Sequence, residues 1–203
     1  MALHTWLIYL AASIGLALTP GPSSLLVITH GALHGRRKTL FTVAGGALGF
    51  LSLIALSMLG IGALLETSVT ALTLLKFAGG AYLVWLGVQL WRAPPVQIQL
   101  DGPAGDAHAA ALFRNGLLTA LSNPKALLFY GAFLPQFIDP QRGLLGQFVL
   151  MALNFVAVEA VVEIALSRLA HRIRPLLQRA GRRFNRACGG LFVALGAMLP
   201  MLK

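Results

Sequence analysis

Two proline-containing segments, Thr19-Pro20-Gly21-Pro22 and Asn123-Pro124-Lys125, lie inside long apolar runs of this chain. Proline has no backbone N–H to donate to the carbonyl four residues earlier, so each segment predicts a broken helix. Hydrocarbon cannot satisfy the polar groups that a break exposes, so a break at membrane depth must face protein or a wet cavity. A pair of such breaks is typical of a transporter's binding site.

The composition is that of a membrane protein. Hydrophobic residues make up 57% of the chain and charged residues 11%, whereas soluble proteins carry about 25% charged residues. A length of 203 residues predicts one transmembrane domain, residues 1–203. The net charge is +10. The apolar spans leave no soluble region that could bind nucleic acid, so we expect no nucleic-acid partner. The single Cys188 excludes an internal disulfide.

Six apolar segments approach the roughly 20 residues that cross the hydrocarbon of a bilayer. They are Leu3 to Thr29, Leu40 to Leu65, Leu72 to Trp91, Leu112 to Phe137, Leu144 to Leu169 and Ala187 to Leu202. The first and fourth contain the two breaks. A linker at 93–111 separates halves 1–92 and 112–203, and Gly80–Gly87 resembles Gly189–Gly196. Because each half has an odd number of spans, we predict an all-α polytopic fold of two inverted three-helix repeats with broken helices 1 and 4.

The basic residues predict the orientation. Loops 1–2, 3–4 and 5–6 together hold most of the 16 Lys and Arg residues, and such loops are cytoplasmic by the positive-inside rule. Both termini should therefore lie outside, on the periplasmic side. The stretch Arg168–Arg186 is either a positive-inside loop or an amphipathic helix that binds anionic lipid head groups.

Ionisable residues inside a membrane are costly and usually functional. Glu159 and Glu163 lie four residues apart and share a helix face. Two carboxylates this close in a medium of low dielectric constant do not both ionise readily, so we predict a proton-coupling role for the pair. Glu163 could instead reach the cytoplasmic boundary or pair with Arg168. Lys125 could bind a cargo carboxylate, pair with Glu159 or neutralise exposed carbonyls.

His30 and His34 lie four residues apart at the end of the first span. With a glutamate they could ligate a metal, but the spacing supplies no third ligand, and we predict no metal site. A cation or metal exporter of the same fold stays an alternative. An intramembrane enzyme is the other, although Ser23 and Ser24 have no adjacent base except His30, more than one helical turn away.

A broken helix presents two kinds of binding group. The half after a break offers N–H donors, here from residues 21–25 and 125–128, which suit a carboxylate. The half before it offers carbonyls, here of Leu16, Leu18 and Ala120, which suit an ammonium. A small zwitterion matches both, and the Ser23 hydroxyl can join them at the first break.

Six motifs occur in order along nearly the whole chain: Leu18-Thr-Pro-Gly-Pro22, Gly35-Arg-Arg37, Leu75 to Gly87, Phe113-Arg-Asn-Gly116, Leu121-Ser-Asn-Pro-Lys-Ala126 and Phe133-Leu-Pro-Gln-Phe137. In this order and spacing they resemble the LysE/RhtB family of bacterial amino-acid exporters. The resemblance implies a six-helix exporter of the inner membrane that moves an amino acid or a close derivative out of the cytoplasm by antiport with protons.

The resemblance also implies the site. Its motifs map substrate binding onto Thr19, Pro20, Gly21, Pro22, Asn123, Pro124 and Lys125. The function expected is therefore transport and not enzymatic catalysis, with a small amino acid as cargo, the proton gradient as driving force and no organic cofactor. Close packing at the glycine-rich spans could also support a homodimer.

Overall fold

The computed structural model describes residues 3–19, 21–67, 69–94, 107–139 and 141–198, and its regular elements within these ranges are all helical. They are α1 (Leu3–Leu18), α2 (Pro22–Thr67), α3 (Val69–Arg92), α4 (Ala109–Leu121), α5 (Pro124–Phe133), a 3-10 turn (Leu134–Phe137), α6 (Leu144–Arg168) and α7 (Ala170–Met198). The predicted all-α fold is confirmed.

Both predicted helix breaks are present. The helix α1 ends at Leu18 and α2 begins at Pro22, while α4 ends at Leu121 and α5 begins at Pro124. The chain bends by 51° at the second break. Pro22 and Pro124 each occupy the first position of a helix, where the missing N–H would have had no intrahelical partner. Pro20 lies outside the described residues.

The 46 residues of α2 form a hairpin and not one long rod. The chain turns at Gly35, whose φ of 76° and ψ of 169° suit only a residue without a Cβ. Across this turn, His30 Nδ1 and Thr42 Oγ1 lie 2.8 Å apart, whereas twelve residues of straight helix would separate them by about 18 Å. Residues 22–34 thus complete the first predicted span, and residues 36–67 form the second.

Several helices of the described ranges can cross a bilayer. By length and composition they are Pro22–Ala63, Thr73–Arg92 and Leu144–Arg168, and the bent pair Ala109–Leu121 with Lys125–Phe137 makes a fourth. Gly35 divides the first of these into two. The predicted sixth span begins within α7, and residues 199–203 lie outside the described part. Large apolar side chains cover the outside of the bundle, as lipid contact requires: Leu56, Leu59, Leu74, Leu145, Leu153 and Val161 are strongly exposed.

The packing of α3 on α7 has the symmetry of an inverted repeat. A Cβ added at Gly87 would lie 2.6 Å from the carbonyl oxygen of Gly189, and one added at Gly196 would lie 2.5 Å from that of Gly80. The predicted alignment equates Gly80 with Gly189 and Gly87 with Gly196, so each contact is the image of the other. The third and sixth spans therefore cross in opposite directions at equivalent points, with glycines allowing the close approach.

Glycines also bring the two halves together along α2 and α4. A Cβ at Gly45 would collide with the carbonyl of Phe113, and one at Gly116 with the carbonyl of Thr42. This packing sets the end of α4, and with it the second break, beside the first half of the chain. Most of the predicted linker, residues 95–106, lies outside the described residues, and the domain boundaries stay a prediction.

Gly87→Val tests the crossing of α3 and α7. The new side chain would collide with the backbone of α7. Overpacking of this kind lowers the free energy of unfolding by at least about 1–3 kcal/mol. The matched control is Gly60→Val, since a Cβ at exposed Gly60 meets nothing within 4 Å. Size-exclusion chromatography after heating in detergent should show a clear loss of monodisperse Gly87→Val but not of the control. Equal stability of the two variants would contradict the crossing.

Candidate functional site

The two breaks lie against each other in the structure. Asn123 Nδ2 donates a hydrogen bond to Ser23 Oγ at 3.2 Å, and both side chains are buried. The amide oxygen, Asn123 Oδ1, accepts a hydrogen bond from the backbone N–H of Lys125 at 3.1 Å and so caps the start of α5. Asn123 thus satisfies a free N–H of the helix that begins at its own break. It also bonds to the helix that begins at the other break.

Lys125 crosses from the second break to the first. Its Nζ donates to the carbonyl oxygens of Leu16 at 3.0 Å and of Thr19 at 2.8 Å. These carbonyls belong to the end of α1, where backbone acceptors lack helical partners and the helix dipole favours a cation. The ammonium group of the second half therefore caps a helix of the first half. Gly21 makes room for it, because a Cβ there would lie 3.1 Å from Nζ.

The carbonyls that the sequence predicts to be free are largely satisfied. Leu16 O accepts the N–H of Thr19 in addition to Lys125, and Ala120 O accepts the N–H of Asn123. The hydroxyl of Thr19 donates to Gly15 O at 2.6 Å. The expectation of open carbonyls is therefore wrong for Leu16 and Ala120. The reason is that the chain turns tightly at each break and brings its own donors to these acceptors.

A cavity of about 530 Å³ opens beside the two breaks, within the range of roughly 300–1,000 Å³ typical of small-molecule sites. The predicted residues that line it are Thr19, Gly21, Pro22, Asn123 and Lys125. Ser23 is buried behind this lining through its bond to Asn123. The backbone of Pro124 begins α5. The structure thus brings the described members of the predicted site together.

We call this cavity the break cavity. The rest of its wall comes largely from α3. Gln89 and Arg92 of α3 line it, together with Ala93, Pro94 and the aromatic ring of Phe192. Sequence reasoning missed Gln89 and used Arg92 only as a marker of orientation. The available signal was that Gln89 is a polar residue inside an apolar span. The two residues add an amide and a guanidinium to a wall that is otherwise mostly apolar.

Glu159 and Glu163 are both buried on the face of α6 that packs inside the bundle. The carboxylate oxygens of Glu163 lie 3.6 and 3.9 Å from the position of a Cβ at Gly46, so this side chain faces α2 and does not extend to the boundary. Neither glutamate is among the described residues that line the break cavity. Lys125 is the opposite charge that interacts electrostatically with both.

Two buried polar atoms near the site lack a described partner. They are Glu159 Oε2 and the hydroxyl oxygen of Tyr130. Tyr130 lies on α5, and the charge of Glu159 acts on its hydroxyl group. Sequence reasoning did not select Tyr130, because a tyrosine in an apolar span is usually part of the core. Unsatisfied buried polar groups require an explanation, and a place that water or cargo can occupy is one.

The residues considered for the alternative functions have other contacts in the described part of the chain. His30 Nδ1 bonds Thr42 Oγ1, and its ring contacts that of His34 at a centroid distance of 5.4 Å. Within the described ranges, no group of three or more His, Cys, Asp or Glu side chains could hold a metal ion. Ser23 contacts Asn123 and not a base.

Comparisons with known proteins identify the family of the chain. The family described as LysE type translocator matches residues 14–202. The chain belongs to this family. It is 35% identical over 205 residues to the homoserine/homoserine lactone efflux protein of Salmonella typhimurium, covering 100% of this chain and 99% of that protein. No solved structure matches the chain.

The chain is also similar to two other membrane proteins. An uncharacterized membrane protein of Vibrio cholerae is 35% identical over 207 residues, covering all of both chains. The leucine efflux protein of Klebsiella pneumoniae is 34% identical over 134 residues, covering 66% of this chain and 63% of that protein. The family membership and the apolar helices make the chain a membrane transport protein.

Lys125→Met tests whether the ammonium group joins the two breaks. The variant keeps the length of the side chain but leaves the carbonyl of Thr19 without its described donor, at a cost of about 1–3 kcal/mol, and leaves the carbonyl of Leu16 with only the N–H of Thr19. Thermal unfolding in detergent should show a lower midpoint. Lys125→Arg should retain most of the stability, and exposed Arg37→Met controls for the loss of one cation. A Lys125→Met midpoint equal to that of the wild type would refute the cap.

Proposed function

We propose that this translocator exports a small amino acid or amino-acid derivative of the homoserine type from the cytoplasm, in exchange for protons. The observation that carries the proposal is the break cavity, which both proline breaks line and which holds the ammonium group of Lys125 at its wall. Family membership and the names of two relatives support efflux of amino acids.

The names of the relatives favour the ammonium group of the cargo as the main point of recognition. Homoserine, homoserine lactone and leucine all carry an α-amino group, whereas the lactone has an ester in place of a free carboxylate. A site that accepts all three kinds of cargo must therefore recognise the ammonium. The carbonyls of Leu16 and Thr19 are suitable acceptors, and the ammonium group of Lys125 already occupies them.

We infer an exchange of one ammonium for another as the central step. Without cargo, Lys125 bonds the end of α1 and ties the two halves together. The cargo ammonium takes over the carbonyls, and the released Lys125 turns toward a cargo carboxylate or toward Glu159. The tie between the halves is then broken, so the halves can rearrange and open the cavity to the other side. The affinity of cargo is lowered by the bond that it must displace.

Protons enter this scheme through Glu159 and Glu163. Ionised Glu159 attracts the released Lys125, and a proton taken up from outside neutralises the carboxylate and favours the return of Lys125 to α1. The unpartnered Glu159 Oε2 and Tyr130 hydroxyl mark where a proton or a water molecule would be held. Cargo binding and proton binding therefore move the same lysine in opposite directions, which is what antiport requires.

The side to which the break cavity opens follows from the proposed orientation in the bacterial inner membrane, with both termini outside. Arg92 and Pro94 at the cytoplasmic end of α3 line the break cavity, so the described conformation corresponds to a carrier open toward the cytoplasm. The homodimer stays a prediction. Gly45 and Gly49 are packed against α4 within the chain, so a dimer would have to use other residues.

An efflux assay in proteoliposomes tests both cargo and coupling. Loaded vesicles should release homoserine-type or small neutral amino acids when the outside is more acidic than the lumen. Analogues without the α-amino group should not compete, while a lactone or ester should. A screen in which no amino acid or derivative is released would remove the proposed cargo class.

Glu159→Gln separates proton coupling from cargo binding. The variant should lose most of the response to the pH gradient, because its amide cannot take up a proton, while still exchanging labelled for unlabelled cargo. Asp139→Asn is the matched control, because Asp139 pairs with Arg142 at the surface and away from the site. Gradient-driven efflux that Glu159→Gln leaves unchanged would exclude Glu159 from the coupling.

A further inference from the structure

A second cavity, of about 290 Å³, lies between the C-terminal end of α3 and the middle of α7. Its lining is Trp91, Arg92, Pro94, Arg182 and Arg186, and we call it the arginine cavity. Asn185 fixes its shape, because Asn185 Nδ2 donates to the carbonyls of Ala93 at 3.4 Å and Pro94 at 3.1 Å. The end of α3 is thereby held against the helix that carries Arg182 and Arg186.

The arginine cavity gathers positive charge without a described counter-charge. Arg182 and Arg186 lie one turn apart on α7, a spacing at which like charges repel. The chain has only six acidic residues. Of those whose side chains are described, Asp139 pairs with Arg142, and Glu159 and Glu163 are buried on α6. Three guanidinium groups around one cavity are a typical binding arrangement for an oxyanion such as phosphate.

The surface next to the arginine cavity indicates where the oxyanion comes from. Leu74, Phe77, Trp85 and Val88 form an exposed apolar stripe along α3 that ends at Trp91. In a bilayer such a stripe contacts acyl chains, and a tryptophan at the end of a span lies at the level of the head groups. A lipid lying along α3 would place its phosphate beside Trp91 and the three arginines.

We propose that the arginine cavity binds the phosphate-bearing head group of an anionic lipid, in the leaflet that the charge distribution assigns to the cytoplasm. Basic pockets between helices on this side of a membrane bind such head groups. Arg92 and Pro94 also line the break cavity. A bound lipid therefore holds Arg92 at the edge of the cargo site and links the composition of the membrane to that site.

Lipid titration of the purified full chain tests this proposal without reference to cargo. The probes are short-chain phosphatidylglycerol, phosphatidylcholine and sodium phosphate, each added in the same detergent and followed by native mass spectrometry. Phosphatidylglycerol should bind at one site more tightly than the other two. Each arginine near an anionic head group contributes about 1 kcal/mol, so R182Q/R186Q should weaken this binding roughly 30-fold.

Two further variants keep the test specific. R36Q/R37Q removes two exposed arginines from the same predicted face but outside the cavity, and it should change the affinity less than threefold. R182K/R186K keeps the charge and should keep most of the binding, which checks that the fold survives changes at these positions. Equal binding by R182Q/R186Q and the wild type, or an equal loss in R36Q/R37Q, would overturn the proposal. Phosphate that binds as tightly as the lipid would overturn the lipid assignment.

Discussion

The bond between the Lys125 ammonium and the end of α1 is the interaction on which the site depends. A break at membrane depth leaves backbone carbonyls that lipid cannot satisfy, and here the cation that satisfies them comes from the other break. Asn123 and Ser23 add a second bond between the same segments. The second half of the chain therefore completes the broken helix of the first, and in our proposal the halves separate only when another ammonium replaces that of Lys125.

The sequence alone predicted those parts of the molecule that depend on local chemistry. Proline interrupts the hydrogen bonding of a helix, so both breaks could be predicted, and Pro22 and Pro124 each begin a helix in the structure. The repeat of Gly80–Gly87 in Gly189–Gly196 was visible in the sequence, and the reciprocal contacts of these glycines agree with it. Seven of the eight residues predicted to bind substrate, including Thr19, Asn123 and Lys125, are described and lie at the breaks, because the motifs that select them contain the breaks.

The parts that could not be predicted are those decided by contacts between distant segments. Neutralisation of exposed carbonyls was one of three roles that the sequence left open for Lys125, but nothing local selects that role or shows that Leu16, 109 residues away, would be an acceptor. Gln89 and Tyr130 are positioned by packing between helices, and no sequence motif marks either residue. Gly35 permits the α2 hairpin, but the approach of His30 to Thr42 follows from tertiary contacts and not from the spacing of the histidines.

The most direct test of the account is a reversible cross-link between the two breaks. Ser23→Cys with Asn123→Cys, in a Cys188→Ala background, places two thiols where Asn123 Nδ2 and Ser23 Oγ lie 3.2 Å apart. Oxidation should form the disulfide and stop efflux from proteoliposomes, reduction should restore it, and each single-cysteine variant should be insensitive to both treatments. Full efflux by the cross-linked protein would show that the two breaks need not move apart, which would contradict the account.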